Sequence, residues 1–122
     1  MATILLVEDN AANMKLGVFL LEHAGHTVIS APDANVGLTL ARVQHPDLIL
    51  MDIQLPGMDG LAATELLKHD EATRTIPVIA LTALAMKGDE QRIRDAGCDA
   101  YIAKPMRYQE VLATVAAQLG RT

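Results

Sequence analysis

Five short apolar runs, each separated from the next by a longer segment of helical spacing, constrain this chain more than any other feature. They are "TILLV" at 3–7, "TVIS" at 27–30, "DLILM" at 47–51, "PVIAL" at 77–81 and "AYIA" at 100–103. Runs this short, rich in leucine and β-branched residues, suit strands buried on both faces. Between them, spacings such as Met14, Val18 and Leu21, or Val111, Val115 and Leu119, set apolar side chains along one stripe of a helix. Strand then helix, five times over, predicts an α/β fold. Right-handed crossovers place the helices on both faces of a parallel sheet. Five strands suit a flavodoxin-like (βα)5 doubly wound sheet of strand order 2-1-3-4-5. The punctuation agrees: Gly25 and Gly97 follow predicted helices, Pro46 and Pro77 stand just before or at strand starts, and Asp33 is placed to cap the second helix.

A chain of 122 residues without repeats or low-complexity stretches is expected to form a single domain over 1–122, with no effector domain attached. Hydrophobic residues make up 51% but aromatics only 2%, so the core must be aliphatic. The formal charge of -5, with no basic run, disfavours direct nucleic-acid binding. No apolar run approaches a membrane span, and "MATILLVEDN" lacks the basic region and cleavage site of a secretion signal. No membrane insertion and a cytoplasmic location are the expectations. The lone Cys98 cannot form an internal disulfide and receives no role.

In sheets of this order, ligands collect beyond the carboxyl ends of the strands, where the strand order reverses. The first run leads into Glu8 and Asp9, the third into Asp52, the fourth into Thr82 and the fifth into Lys104. Taken singly, each has a plainer reading: an acidic helix start capped by Asp9 or Asn10, a strand-end hydroxyl, a solvated amine. Asp52 resists such a reading, because the apolar run "LILM" stops at it and Ile53 then resumes. The arrival of all five residues at the ends of four different strands argues for a common site.

Three converging carboxylates would raise one another's pKa unless a positive charge sat among them. Mg²⁺ suits hard oxygen ligands and keeps waters or a phosphate in its shell, and Glu8, Asp9 and Asp52 offer such a set. Zinc is disfavoured, since His23, His26, His45 and His69 lie on predicted helix surfaces or turns without ligand spacing. A metal beside a strand-end aspartate suggests phosphoryl chemistry, with Asp52 as nucleophile and Lys104 and Thr82 serving the phosphate oxygens.

These residues resemble the receiver domain of two-component response regulators. The likeness spans essentially the whole chain and rests on "LLVEDN", "DLILMDIQLPGMDG", "ALTA" and "YIAKP" in this order and spacing. Through "NMKL", "LILMDIQLP" and "AMKGDEQRIRDAGCDAYIAKP" it is most similar to single-domain cell-cycle regulators of the DivK type. The resemblance implies that Asp52 accepts a phosphoryl group from a histidine kinase or histidine phosphotransferase. It further implies that Glu8, Asp9, Asp52 and the backbone carbonyl of Gln54 hold Mg²⁺, that Lys104 pairs with the phosphoryl group, and that the Lys104–Pro105 bond is cis. Thr82 and Tyr101 match the family's switch positions, with downstream protein targets reading the fourth helix, fifth strand and fifth helix. Gly88 lowers helix propensity in that region and is expected to favour mobility. The kinase or phosphotransferase is expected to dock on the first helix, near "NAANMKLGVFLL".

Four alternatives stand beside this reading. A flavin or nucleotide module would need a Gly, Ser or Thr-rich phosphate loop where "VEDNAAN" stands. A Mg²⁺-dependent phosphohydrolase would usually place a second acid two residues after the nucleophile, where Gln54 stands, so an enzyme of that kind is not expected. A pseudo-receiver would not need the acids, Thr82 and Lys104 intact. A receiver taken from a hybrid kinase would carry similar "EDN" and "MDIQ" segments.

Overall fold

The computed structural model describes residues 2–83 and 87–120, with no side-chain surroundings for 87 and 88. Residues 84–86, which take in the start of the "AMKGDE" stretch, and the surroundings of Gly88, on which mobility was expected, lie outside the described residues. Strands and helices alternate as β1 (Thr3–Val7), α1 (Ala11–His23), β2 (Thr27–Ala31), α2 (Ala34–Gln44), β3 (Leu48–Asp52), α3 (Gly60–His69), β4 (Val78–Thr82), α4 (Lys87–Asp95), β5 (Ala100–Ala103) and α5 (Tyr108–Leu119). The five strands form one sheet in the order β2-β1-β3-β4-β5. Every pairing is parallel, the outcome expected of βαβ crossovers.

The period of two along each strand divides the interior into two layers. Leu5, Val7, Ile49, Met51, Val78 and Ala80 face α2, α3 and α4, meeting Leu38, Ala63, Leu67 and Ile93. Ile4, Leu6, Leu48, Leu50, Ile79 and Ile102 point the other way, onto Leu20 and Leu21 of α1 and Val111 and Val115 of α5. All residues of β3 and β4 are buried. The predicted helical stripes hold: Leu21, Val111 and Val115 are buried in the α1–α5 layer, with Met14, Val18 and Leu119 packed against it.

Helix boundaries follow local chemistry. Asn10, Asp33 and Asp59 are N-caps whose side-chain oxygens accept the N–H groups of Asn13, Val36 and Ala62, satisfying donors that the first turn leaves orphaned. Gly25 and Gly97, beyond α1 and α4, take φ values of 95° and 105°, which a side chain would resist. His45 caps α2 in the left-handed region with φ 47°.

The central strands run one residue further than the sequence suggests. β3 and β4 begin after Asp47 and Pro77 and end on Asp52 and Thr82, which are paired in the ladder with Leu81 and Ala103. Asp47 instead braces the start of β1, where its Oδ2 accepts the N–H of Thr3 at 2.8 Å. Polar side chains end the two central strands because the partners described next await them at the sheet's carboxyl edge.

Candidate functional site

Four strand ends assemble the site. Glu8 follows β1 and is held by its N–H donating to the Ala31 carbonyl of β2 at 3.0 Å. Asp52 closes β3, Thr82 closes β4, and Lys104 follows β5 with its N–H on the Thr82 carbonyl at 2.8 Å. Glu8, Asp52 and Thr82 are all at most 2% exposed, whereas Asp9 is exposed. One carboxylate oxygen each from Glu8, Asp9 and Asp52 lies within 4.8 Å of the others.

Burying two carboxylates side by side costs several kcal/mol per charge unless a counter-charge is at hand. Lys104 supplies it: Nζ lies 2.9 Å from Glu8 Oε1 and 3.1 Å from Asp52 Oδ2, with the lysine side chain 15% exposed. The remaining oxygens meet backbone donors, Glu8 Oε2 accepting the N–H of Asn10 at 3.1 Å and Asp52 Oδ1 that of Gln54 at 2.9 Å. Glu8 Oε1 touches Lys104 without the alignment of a hydrogen bond and, among the described residues, accepts none.

The electrostatics reflect this crowding. Burial pushes the Glu8 carboxyl above its ordinary range, with the Lys104 ammonium pulling down and Asp52 pushing up. Burial alone would lower the pKa of Lys104, but the two carboxylates overcome it and hold the ammonium above its usual value. Lys104 therefore stays charged at neutral pH.

Asp52 closes β3 within the ladder and is buried beneath Lys104, and Ile53 resumes packing as expected, half-buried against the α2–α4 layer. The Gln54 side chain is exposed. Tyr101 lies half-buried on the edge strand β5 and packs against the same layer. The Lys104–Pro105 peptide is cis, as the resemblance implied. His23, His45 and His69 are exposed, while His26 is half-buried and accepts the Ala2 N–H.

Two contacts behind the site carried no signal in our reading. Gly60, the first residue of α3, lies against the backbone of Asp52 and Ile53. Thr64, fully buried, donates to the Gly60 carbonyl at 2.8 Å. The one local hint is the "MDG" that opens α3, where aspartate caps and glycine follows.

Residues 4–116 match the response regulator receiver domain model. The chain belongs to the response regulator receiver family. It is 52% identical over 118 residues to the polar-differentiation response regulator DivK of Brucella ovis, covering 97% of this chain and 96% of that one. Among solved structures, the receiver domain of the sensor histidine kinase PA1611 from Pseudomonas aeruginosa superposes with a TM-score of 0.91 at 37% identity, covering 98% of each chain. That receiver has a magnesium ion coordinated in its active site cleft. A chain from Chloroflexus aurantiacus superposes at a TM-score of 0.94 with 29% identity, again over 98% of each. This receiver is thus a DivK-like response regulator with a flavodoxin-like sheet. No helix among the described residues is long and apolar enough to cross a membrane.

Proposed function

We propose that Asp52 is the phosphoacceptor of a Mg²⁺-dependent phosphorelay, and that its phosphorylation switches the binding of protein partners in cell-cycle or cell-division control. The observation that carries this reading is the Lys104 ammonium bridging buried Glu8 and Asp52, with exposed Asp9 completing a three-acid cluster.

The donor set fits Mg²⁺. Three carboxylate oxygens within 4.8 Å of one another match the preference of that ion for hard oxygen ligands. Glu8, Asp9, Asp52 and the Gln54 carbonyl would hold it. When bound, the ion supplies charge neutralisation for phosphoryl oxygens. The protein's own groups do the rest. The N–H of Gln54 fixes Asp52 Oδ1, and Lys104 anchors Oδ2, so the carboxylate is oriented before a donor arrives. An Asp52 oxygen attacks phosphorus and the P–N bond of a partner's phosphohistidine breaks. The electron pair returns to the imidazole nitrogen, and the phosphoryl group remains on Asp52 as a mixed anhydride. Lys104 and Thr82 then serve the phosphoryl oxygens.

Thr82 and Tyr101 are the proposed switch pair, one buried at the end of β4 and one half-buried on β5, their two arrangements biased by phosphate contacts. A kinase or phosphotransferase helix bundle would dock on α1. Phe19 is 63% exposed there and stacks on His23, which in turn meets Tyr108 of α5 edge-on. An exposed aromatic anchor of this kind suits a protein interface. The cell-cycle assignment rests on the likeness to DivK of Brucella ovis, which exceeds the 37% likeness to the sensor-kinase receiver. With Gln54 two residues after Asp52, no acid is placed to protonate a leaving group, so turnover of external phosphoesters is not expected.

Incubation with Mg²⁺ and a small acyl or amido phosphate should add one phosphoryl group, seen by intact mass. The label should vanish in Asp52→Ala and on chelation. Unchanged labelling of Asp52→Ala would refute the assignment.

A further inference from the structure

The first residue of α3 packs directly against the backbone that carries Asp52. Gly60 opens α3 with its Cα pressed against the Asp52–Ile53 peptide. A Cβ placed there would come 2.2 Å from the Asp52 carbonyl oxygen, 2.6 Å from Ile53 Cα and 2.8 Å from the Asp52 carbonyl carbon. All three are backbone atoms, so no side-chain rotation can relieve the overlap. The Gly60 N–H also donates to the Ile53 carbonyl at 3.2 Å, tying the start of α3 to the residue after Asp52.

The far side of Gly60 is held as well. Thr64, 0% exposed, donates its hydroxyl to the Gly60 carbonyl at 2.8 Å and receives the Cys98 thiol at 3.8 Å. A buried hydroxyl one turn along the helix thus holds the Gly60 peptide while its Cα abuts the Asp52 carbonyl. Immediately downstream, the Gln54 N–H holds Asp52 Oδ1, and the Gln54 carbonyl is the backbone atom assigned to the metal above. A shift of the Asp52–Ile53 peptide would move both.

We propose that Gly60 and Thr64 are positioning residues for phosphorylation: they seat α3 against the Asp52–Ile53 peptide and so aim the Asp52 carboxylate and the Gln54 carbonyl. The inference rests on Asp52 being the acceptor. Neither residue touches phosphate. Displacing a reacting group by about 1 Å costs rates up to 100-fold, and the overlap at Gly60 demands a displacement of that order.

The test compares the parent with Gly60→Ala, Thr64→Val and Thr64→Ser. The readings are the rate of labelling by phosphoramidate at saturating Mg²⁺, the Mg²⁺ affinity from a chemical-shift titration, and the Gln54 amide proton shift, which reports its bond to Asp52. Gly60→Ala should label roughly 10- to 100-fold more slowly, with a displaced Gln54 amide and weaker Mg²⁺ binding. Thr64→Val should slow labelling by roughly fivefold, and Thr64→Ser, which keeps the hydroxyl, should restore the parent rate and amide shift. Thermal denaturation verifies that each variant is folded at the assay temperature. If Gly60→Ala does not fold, the Thr64 pair decides. Parent-like labelling and Gln54 shift in Thr64→Val, or in a folded Gly60→Ala, overturn the inference while leaving the acceptor assignment intact. Failure of the parent itself to label at Asp52 overturns both.

Discussion

Lys104 shows how one residue takes a different meaning in each context. As part of "YIAKP" it is a strand-end amine, yet in the fold it is the counter-charge for two buried acids, 2.9 Å and 3.1 Å away. At His26 no carboxylate offsets burial in this way, and the imidazole is held below its ordinary pKa. Its Nδ1 accepts the Ala2 N–H at 3.2 Å, which the doubly protonated ring cannot do. A depressed folded pKa means a stabilising contribution that is complete above the unfolded pKa and lost as pH falls through the folded value. Glu8 has the other sign: its raised pKa favours the folded state in acid, and that contribution is lost as pH rises through the raised value. The two are separable by substitution. His26→Gln keeps an acceptor for Ala2 that does not titrate, so it should lose less stability than the parent between about pH 7.5 and 5. Urea unfolding at several pH values measures this, and parallel curves for the two proteins would contradict it.

At the scale of elements, the same capping chemistry starts α1, α2 and α3. Asp33→Ala should therefore cost about 1 kcal/mol of unfolding free energy, read as a lower urea midpoint with an unchanged slope. A midpoint equal to that of the parent would show that water replaces the cap without loss. α4 differs from the other helices in composition: its described residues are held by Arg92–Asp89 and Arg94–Glu90 pairs on an exposed face. Such exposed pairs contribute little each. Among the described residues, α4 adds Ile93 to the core, as does Ala96 just beyond its end.

At the scale of the molecule, two apolar layers hold the sheet while its carboxyl edge gathers charges that oppose folding. Three acids with one ammonium leave a net negative cluster, which a divalent cation would neutralise. Mg²⁺ at about 100 times its Kd should accordingly raise the unfolding free energy by about 2.7 kcal/mol. Asp9→Asn should weaken that response without loss of fold, because Asp9 is exposed and outside the core. Thermal denaturation with and without chelator checks this, and an equal shift for Asp9→Asn would exclude Asp9 as a ligand.

The alternation of apolar runs determined the sheet, its parallel strands and their order, because covering both faces of five buried strands by right-handed crossovers leaves few arrangements. Spacing and strand ends also made Glu8, Asp9, Asp52, Thr82 and Lys104 legible as one group, and Asp33 as a cap, since both follow from local chemistry and chain direction. Only the tertiary structure decided that Lys104 neutralises Glu8 as well as Asp52. It alone decided that Asp52 and Thr82 end inside the ladder, and that Gly60 and Thr64 brace the Asp52 peptide. Those outcomes depend on angstrom-scale contacts between segments distant in sequence or folded back on one another, and a periodicity in one dimension does not encode distance in three.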